Sequence, residues 1–300
     1  MWLETSYIWQ NQEFVERKDS VEHTVSHAMH YWTAAFEGIR FYSTDEGPKI
    51  FRLDDHIERF IYSMWCLWLN FDYTKDYLID VCKTTVEKNQ VEAGYIRPIA
   101  WYWYGKMWLN PEGWNTNISV SVWPWWKYLS ADAVDVMLSS FVRPHPESVY
   151  MNAKVSWYYI NSFFANTEAK NYWYDEALLL DHEGNVAEGP GENIFFVKWN
   201  YIYTPSLWSI LPWITRDTLI KVCKNDFGFE VLETQISPDQ LSDFDEAFFV
   251  GTAAEVTPIW TIKTKNQEKI TYDTKWWFEF ADFYTNIVHW KIPKYKTWLF

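Results

Sequence analysis

Several features that are common in other proteins are scarce in this sequence. Only 10 of its 300 residues are glycine, close to half of the usual share of about 7%. The three cysteines, Cys66, Cys82 and Cys223, form neither a zinc-binding pattern nor a redox pair, which favours a reducing, cytoplasmic location. No apolar run approaches the roughly 18 residues of a membrane-spanning helix, and the N-terminus lacks the basic start and apolar segment of a signal peptide.

Positive charge is also in the minority. Lys and Arg together number 26, against 40 Asp and Glu, so the formal net charge is −14 at pH 7. Because such an acidic chain is poorly suited to nucleic acid or anionic membranes, neither is expected as a partner. An anionic ligand would need local cations or the N-terminus of a helix. The length allows one large domain or two smaller ones.

Short alternating or β-branched patterns predict strands along most of the chain. The first two are predicted to form a hairpin around Asn11-Gln12. The other predicted strands cover residues 36–42, 49–53, 95–102, 118–123, 134–140, 177–181, 194–197, 201–204, 229–236 and 246–250.

Helical patterns separate these strands. Asp54 and Thr74 are predicted to cap two helices in the first half of the chain, and Thr215 and Trp276 begin two in the second half. A further helix is predicted after Lys154, because Tyr159, Phe163, Phe164 and Thr167 recur at three- and four-residue steps. The mixture of strands and helices predicts an α/β (α+β) fold.

The segment from Pro124 to Ala131 is the best candidate for a domain boundary. It follows one predicted strand, contains proline together with Trp125 and Tyr128, and precedes another strand. The predicted division is a small α/β domain at residues 1–123, an interdomain loop at 124–133 and a large domain at 134–300.

Lys154 is unusual because small or apolar residues flank it and no acid lies nearby. Taken alone, a lysine just before a helix is usually a surface residue, since buried lysines are rare. A desolvated lysine, however, has a lowered pKa and can attack a carbonyl as a neutral amine. Two downstream stretches, Glu188 to Asn193 and Gly251 to Glu255, look like loops of a binding site and favour a functional Lys154.

Six short motifs follow one another along the chain: Phe36-Glu37-Gly38-Ile39-Arg40, Tyr95-Ile96-Arg97-Pro98, Asn152-Ala153-Lys154, Glu188-Gly189-Pro190-Gly191-Glu192-Asn193, Ile214-Thr215-Arg216-Asp217 and Gly251-Thr252-Ala253-Ala254-Glu255. Their order and spacing resemble those of the branched-chain amino acid aminotransferases, pyridoxal-phosphate enzymes of fold type IV. The resemblance extends nearly end to end and implies a two-domain fold like that of D-amino acid aminotransferase.

The resemblance implies a transaminase that moves an amino group between L-branched-chain amino acids (Leu, Ile and Val) and 2-oxoglutarate, with pyridoxal phosphate as cofactor. Alternatives within the same fold are a D-amino acid transaminase and an aminodeoxychorismate lyase, although the loop from Gly189 to Asn193 fits the branched-chain group better. The resemblance also implies a homodimer or larger homo-oligomer, in which Tyr31 and Trp108 reach the pocket of the neighbouring subunit.

Seven residues match the cofactor site of the resembled family. Lys154 would bind the cofactor covalently and move the substrate proton, and Glu188 would keep the ring nitrogen protonated. Tyr159 would form a hydrogen bond with the phenolic oxygen. The phosphate would be held by Arg59, the amides of Ile214 and Thr215, and Thr252.

Two groups of residues match the family's substrate site. The group for the α-carboxylate contains Tyr95, Arg97, Thr252 and the Ala253 amide. The group for the side-chain pocket contains Phe36, Tyr31, Trp125, Tyr128 and Tyr159. An aromatic pocket suits Leu, Ile and Val, and could accept glutamate if Arg97 or Tyr31 met the γ-carboxylate. No metal site is expected, because His27 and His30 have no third ligand at helical spacing.

Tryptophan is unusually frequent, with 22 residues, and many of them stand where the resembled family has glycine. Examples are Trp32, Trp126, Trp157, Trp173, Trp208, Trp213, Trp260 and Trp290. Because Trp lacks the conformational freedom of glycine, a third possibility is a folded protein that no longer holds its cofactor. If Trp213 required a positive φ, the strain would be about 1–3 kcal/mol, and cofactor binding would weaken roughly tenfold to hundredfold.

Overall fold

The computed structural model describes residues 5–125 and 133–300, which divide into two compact units. The first unit contains residues 5–125, 153–157 and 286–300, and the second contains residues 133–152 and 158–285. The segment around Lys154 and the C-terminal segment therefore group with the first unit, although the sequence placed both in the large domain. Most of the expected interdomain loop lies outside the described residues.

Seven strands of the first unit are described: β1 (Tyr7–Gln10), β2 (Glu13–Glu16), β3 (Ala34–Phe36), β4 (Ile39–Thr44), β5 (Gly47–Ile50), β6 (Gly94–Tyr102) and β7 (Thr116–Pro124). They form one antiparallel sheet in the order β2-β1-β7-β6-β4-β5, with β3 also paired to β6. The predicted hairpin at Asn11 and Gln12 is confirmed, and these two residues make the turn with φ angles of 47° and 81°.

The described helices of the first unit are α1 (His27–Tyr31), α2 (Leu53–Cys66) and α3 (Lys75–Asn89). Thr74 caps α3 as predicted, because its side-chain oxygen accepts a hydrogen bond from the Tyr77 amide at 3.2 Å. The prediction that Asp54 caps α2 is wrong. Arg52 precedes the helix with a left-handed φ of 49°, and Asp54 lies in the first turn, where its charge favours the helix dipole.

Two segments that are distant in sequence complete the first unit. Val155 forms an isolated antiparallel bridge with Ala35, which attaches the Lys154 segment to this unit. Ile50, at the end of β5, and Phe300 exchange two backbone hydrogen bonds of 2.9 and 3.0 Å. The edge of the sheet at β5 is therefore extended by the C-terminal residues.

Eight strands of the second unit are described: β8 (Val134–Val142), β9 (Glu176–Leu180), β10 (Asn193–Lys198), β11 (Tyr201–Pro205), β12 (Glu230–Thr234), β13 (Glu246–Gly251), β14 (Glu255–Lys263) and β15 (Lys269–Thr271). Their order is β12-β11-β10-β13-β14-β8-β9, with β15 paired to β14. The pairs β11–β12, β8–β14 and β8–β9 are parallel. A cluster of buried apolar side chains, including Val136, Phe196 and Ile259, packs within this unit.

The helices that follow are α4 (Tyr158–Asn171), α5 (Ile214–Asn225) and α6 (Lys275–Val288). The helix predicted after Lys154 is confirmed as α4, but Phe163 and Phe164 on it are 60% and 44% exposed. The buried face contains small residues instead, and Ala165 and Ala169 pack against Ala177 of β9. Within the described ranges, no helix is both long and apolar enough to cross a bilayer.

Among the residues that the structure describes, five tryptophans adopt the left-handed conformation that favours glycine: Trp32, Trp68, Trp173, Trp199 and Trp290, with φ between 53° and 65°. Each costs about 1–2 kcal/mol in backbone strain. Trp173 is 93% exposed and Trp199 is 76% exposed, so these side chains recover little of that cost by burial. Three of the five were among the positions where the resembled family has glycine.

Candidate active site

Lys154 lies in the first unit and is 3% exposed. Its amide donates a hydrogen bond to Ser63 Oγ at 2.8 Å, and its carbonyl accepts one from the Phe36 amide at 3.0 Å. The Lys154 Nζ atom lies 5.2 Å from the centroid of the Phe36 ring. The alternative of a surface lysine is therefore wrong, and the backbone is fixed on both sides of this residue.

A buried ionic network on α2 adjoins Lys154. Ser63 Oγ donates to the Arg59 carbonyl at 2.7 Å, and Arg59 Nε and Nη2 donate to the Glu37 carboxylate at 2.6 and 3.0 Å. His56 Nδ1 lies 2.7 Å from Glu37 Oε2. Burial alone would raise the pKa of Glu37, but Arg59 and His56 outweigh it and lower that pKa. The predicted phosphate ligand Arg59 is thus oriented by a carboxylate.

Four of the predicted substrate residues lie together in the first unit. The Arg97 guanidinium carbon lies 4.7 and 5.3 Å from the ring centroids of Phe36 and Tyr95, and the Tyr95 and Trp125 rings are 5.1 Å apart. A Cβ atom at Gly38 would lie 1.7 Å from the Tyr95 hydroxyl, so only glycine permits this approach. Within the described part of the chain, the buried Nε of Arg97 has no hydrogen-bond partner, as a donor kept for a carboxylate would.

Tyr31, another predicted pocket residue, is 42% exposed at the end of α1, and its ring lies 4.5 Å from that of His27. His27 contacts Thr33 Oγ1 at 2.7 Å through Nδ1 and the Trp108 carbonyl at 3.1 Å through Nε2. Burial lowers the pKa of His27. The neutral imidazole therefore links the segments that carry Tyr31 and Trp108. Tyr128 lies outside the described residues.

In the second unit, Glu188 lies between β9 and β10 and is 2% exposed. Arg143 Nη2 lies 2.9 Å from its Oε1 atom. Asn193 Nδ2 and Trp213 Nε1 each donate to Oε2 at 3.0 Å, and the Leu211 amide lies 3.3 Å from both oxygens. The carboxylate is thus paired with a cation and receives hydrogen bonds from three further groups.

A second buried acid lies in the same loop. Glu192 is 1% exposed and packs over Gly189, where a Cβ atom would lie 2.4 Å from Glu192 Oε1, and over Gly251, where a Cβ atom would lie 3.1 Å from Glu192 Cβ. Burial raises the pKa of Glu192 well above its usual range, and the charges of Glu176 and Glu188 add to this effect. The neutral form of Glu192 is therefore favoured beside the Glu188–Arg143 pair.

The turn that is predicted to bind phosphate leads into helix α5, with Trp213 at the N-cap. Helix α5 begins at Ile214, and Ile214 and Thr215 are buried at its N-terminus. Trp213 has φ −72° and ψ 139°, so it is an ordinary extended N-cap, and the condition for backbone strain, a positive φ, is not met. Its indole is 7% exposed and points inward to Glu188.

The remaining predicted site residues lie in the second unit. Tyr159 is half-buried in the first turn of α4. Thr252 is 5% exposed just after β13, and Ala253 beside it is half-buried. Because Val250 of β13 pairs with Asn193, Thr252 follows the strand that adjoins the Glu188 loop.

Three residues that hold predicted site residues in place were not predicted from the sequence: Glu37, Arg143 and Ser63. Glu37 lies in the first of the six motifs, and an acid between Phe36 and Gly38 was the available signal. Arg143 and Ser63 carried no local signal, because their partners are distant in sequence.

The described residues match the chemistry of pyridoxal phosphate in type. A buried amine is present at Lys154, a buried carboxylate at Glu188, and a helix N-terminus suited to a phosphate at Ile214 and Thr215. Trp213 is the exception. Its indole N–H donates to Glu188 Oε2, although Glu188 is the acid that would face the ring nitrogen of the cofactor.

The amino-transferase class IV family matches residues 34–262 of the chain. The branched-chain-amino-acid aminotransferase of Pseudomonas aeruginosa is 39% identical over 256 residues, which cover 84% of this chain and 83% of that protein. The protein of the same name from Escherichia coli K12 is 39% identical over 259 residues, or 84% of each chain.

Solved structures of the same class are also similar. The branched-chain aminotransferase of Thermoproteus uzoniensis with norvaline has a TM-score of 0.93 at 35% identity and covers 99% of both chains. The T.th. branched-chain amino acid aminotransferase complexed with N-(5'-phosphopyridoxyl)-L-glutamate has a TM-score of 0.93 at 36% identity and covers 100% of this chain and 99% of that one. The predicted α/β fold of type IV is confirmed.

Proposed function

The chain belongs to the amino-transferase class IV family, and from this premise we propose that it moves an amino group between L-branched-chain amino acids and 2-oxoglutarate with pyridoxal phosphate as cofactor. The names of the similar proteins support the branched-chain substrate. The phosphopyridoxyl-glutamate in the T.th. structure supports the cofactor and the glutamate/2-oxoglutarate pair.

One observation carries the proposal: Lys154 is buried and its backbone is fixed by Ser63 and Phe36. A lysine is rarely buried unless it is used. Pyridoxal phosphate, when bound, supplies an electron sink for negative charge at the substrate α-carbon. Lys154 Nζ would bind the cofactor covalently and then move the proton at the substrate α-carbon.

Other residues of the chain would orient the cofactor. The Glu188 carboxylate, held by Arg143, would favour the protonated form of the ring nitrogen. The amides of Ile214 and Thr215 at the start of α5, with Thr252 and Arg59, would bind the phosphate. Tyr159 would form a hydrogen bond with the phenolic oxygen.

The substrate would be selected by charge at one end and by aromatic rings at the other. Arg97 has a buried donor available within the described residues and would bind the α-carboxylate with Tyr95, Thr252 and the Ala253 amide. A pocket of aromatic rings would receive an aliphatic side chain: Phe36, Tyr31, Trp125, Tyr128 and Tyr159.

Assembly and location are part of the same proposal. Trp108 and Leu109 are each 76% exposed and Tyr31 is 42% exposed, which supports a homodimer in which these segments meet the neighbouring subunit. All three cysteines are free and buried, which supports a cytoplasmic location. The division of the chain at residues 124–133 also belongs to the proposal. An active monomer in sedimentation experiments would contradict the dimer.

The test is to load the protein with pyridoxal phosphate, reduce it with borohydride and map the labelled peptide. The label is expected on Lys154, and a label on Lys170 or Lys221 would contradict the assignment. Assays with L- and D-leucine in parallel, and with 2-oxoglutarate as acceptor, separate the branched-chain transaminase from a D-amino acid transaminase of the same fold.

A further inference from the structure

Among the described residues of the second unit, Trp213 conflicts with the cofactor chemistry proposed above. Its indole Nε1 donates to Glu188 Oε2 at 3.0 Å, and the ring is 7% exposed. An indole N–H is a donor only, and so is the protonated nitrogen of a pyridine ring. The indole N–H and the protonated pyridine nitrogen therefore both need a hydrogen-bond acceptor such as Glu188.

The Glu188 carboxylate has little capacity left for another donor. It offers about four lone-pair directions, and Arg143, Asn193, Leu211 and Trp213 already contact its two oxygens. Removing the buried Arg143 or the Leu211 amide would leave a charge or a main-chain group without its partner. The Trp213 side chain is a neutral donor that can leave by rotating about its own bonds.

We propose that the Trp213 indole is an internal competitor for Glu188, which must move away before the ring nitrogen of the cofactor can be held by that acid. This inference rests on the proposed role of Glu188. Trp213 would then control cofactor affinity. Its hydrogen bond to Glu188 exists in the cofactor-free protein and would be lost when the cofactor binds. Backbone strain plays no part, because Trp213 has an ordinary φ of −72°.

The decisive comparison uses Trp213→Phe, which keeps an aromatic ring but removes the N–H group, and two ligands. One ligand is pyridoxal phosphate, and the other is its analogue with carbon in place of the ring nitrogen. In the Phe variant no indole bond has to be broken, so pyridoxal phosphate is expected to bind about tenfold to hundredfold more tightly than in the parent, the range for a hydrogen bond to a charged group. The carbon analogue should bind parent and variant with equal affinity.

Two further variants separate donor chemistry from volume. Trp213→Gly removes the ring as well and should tighten binding of both ligands if the indole also occupies space. Trp208→Gly is the matched control, since Trp208 lies in the same loop and is 52% exposed; it should change neither affinity. If Trp213→Phe raised the affinity for both ligands equally, the proposal that the indole competes for Glu188 would be overturned.

A readout that does not depend on activity is the indole nitrogen-15 NMR signal. The Trp213 resonance is identified by its absence in Trp213→Phe, and it should shift when pyridoxal phosphate is added to the parent. An unmoved resonance at saturation would overturn the inference. Equal affinities of parent and variants, with the reductive label on Lys154, would overturn this inference and leave the proposed function intact. A parent protein and variants that bind no pyridoxal phosphate and leave no reductive label on Lys154 would overturn both.

Discussion

Each unit of this chain contains a buried glutamate paired with an arginine, and the two pairs differ in what surrounds them. Glu37 in the first unit meets Arg59 through two hydrogen bonds and His56 through a third. Glu188 in the second unit meets Arg143 through one short contact, and neutral donors supply the rest. The burial of Glu37 therefore depends mainly on its arginine. The burial of Glu188 is also supported by hydrogen bonds from neutral donors.

The neighbours of the two acids differ in charge as well. Glu37 lies beside basic groups, and their combined effect lowers its pKa against the opposing effect of burial. Glu188 lies beside Glu192, whose pKa is raised by burial and by the charges of Glu176 and Glu188. In the first arrangement both carboxylate oxygens of Glu37 are bonded to side chains of α2. The second contains a neutral side-chain donor, Trp213, and an adjacent acid, Glu192, whose pKa is raised.

The largest expected difference follows from removing each arginine. Arg59→Met in the cofactor-free protein should lower the free energy of unfolding by about 3–5 kcal/mol, because it breaks a buried ion pair and leaves Glu37 charged. Arg143→Met should lower it less, by about 1–3 kcal/mol. The Glu188 carboxylate then loses its cation but still accepts hydrogen bonds from Asn193, Leu211 and Trp213. Denaturant unfolding of both variants measures the two values. A greater loss for Arg143→Met would reverse the comparison.

The next effect concerns catalysis rather than stability. Glu188→Gln keeps the shape of the side chain but removes the charge that favours a protonated ring nitrogen. The value of kcat should fall about 10²-fold or more, with a much smaller change in cofactor affinity.

Glu192→Gln is the matched control for Glu188→Gln, because it alters the adjacent acid, whose neutral form is already favoured. Its kcat should stay near that of the parent. If Glu188→Gln transaminates at the parent rate, Glu188 is not the acid that holds the nitrogen.

The smallest effect is a pH-dependent gain in stability from Glu192→Gln. Since the pKa of Glu192 is raised in the folded protein above its ordinary value of 4.5, its contribution to stability is complete below about pH 4.5 and is lost as the pH rises towards the folded pKa. Glutamine cannot titrate and escapes that loss. Thermal unfolding of the cofactor-free proteins should show no pH-dependent difference near pH 4 and a growing advantage of the variant above it, whereas parallel curves would contradict the raised pKa.

Local chemistry made much of the fold predictable. The Thr74 cap, the turn at Asn11 and Gln12 and the start of α5 at Ile214 each depend on residues a few positions apart. The burial of α4 depended on tertiary packing instead. Ala165 and Ala169 are the residues of this helix that pack against Ala177 of the sheet, and the larger Phe163 is left exposed.

The candidate site divides in the same way. The motifs located Lys154, Glu188 and Arg97 because each lies in a short run of residues. The bond from Trp213 to Glu188 spans 25 positions, and the contact from Ser63 to Lys154 spans 91. No periodic pattern encodes such pairs. The sequence left the φ of Trp213 open. Its backbone has an extended φ of −72°, and its side chain donates to a buried acceptor, Glu188.

The pairing of Ile50 with Phe300 has a consequence for the order of events during synthesis. These residues lie about 250 positions apart, which at about 5–20 residues per second corresponds to roughly 10–50 s of translation. During that interval the outer edge of β5 has no partner from the C-terminal segment, and an unpaired strand edge is a template for association with other chains. The first unit therefore begins synthesis first, but its sheet gains its last pairing only when residues near Phe300 have been made.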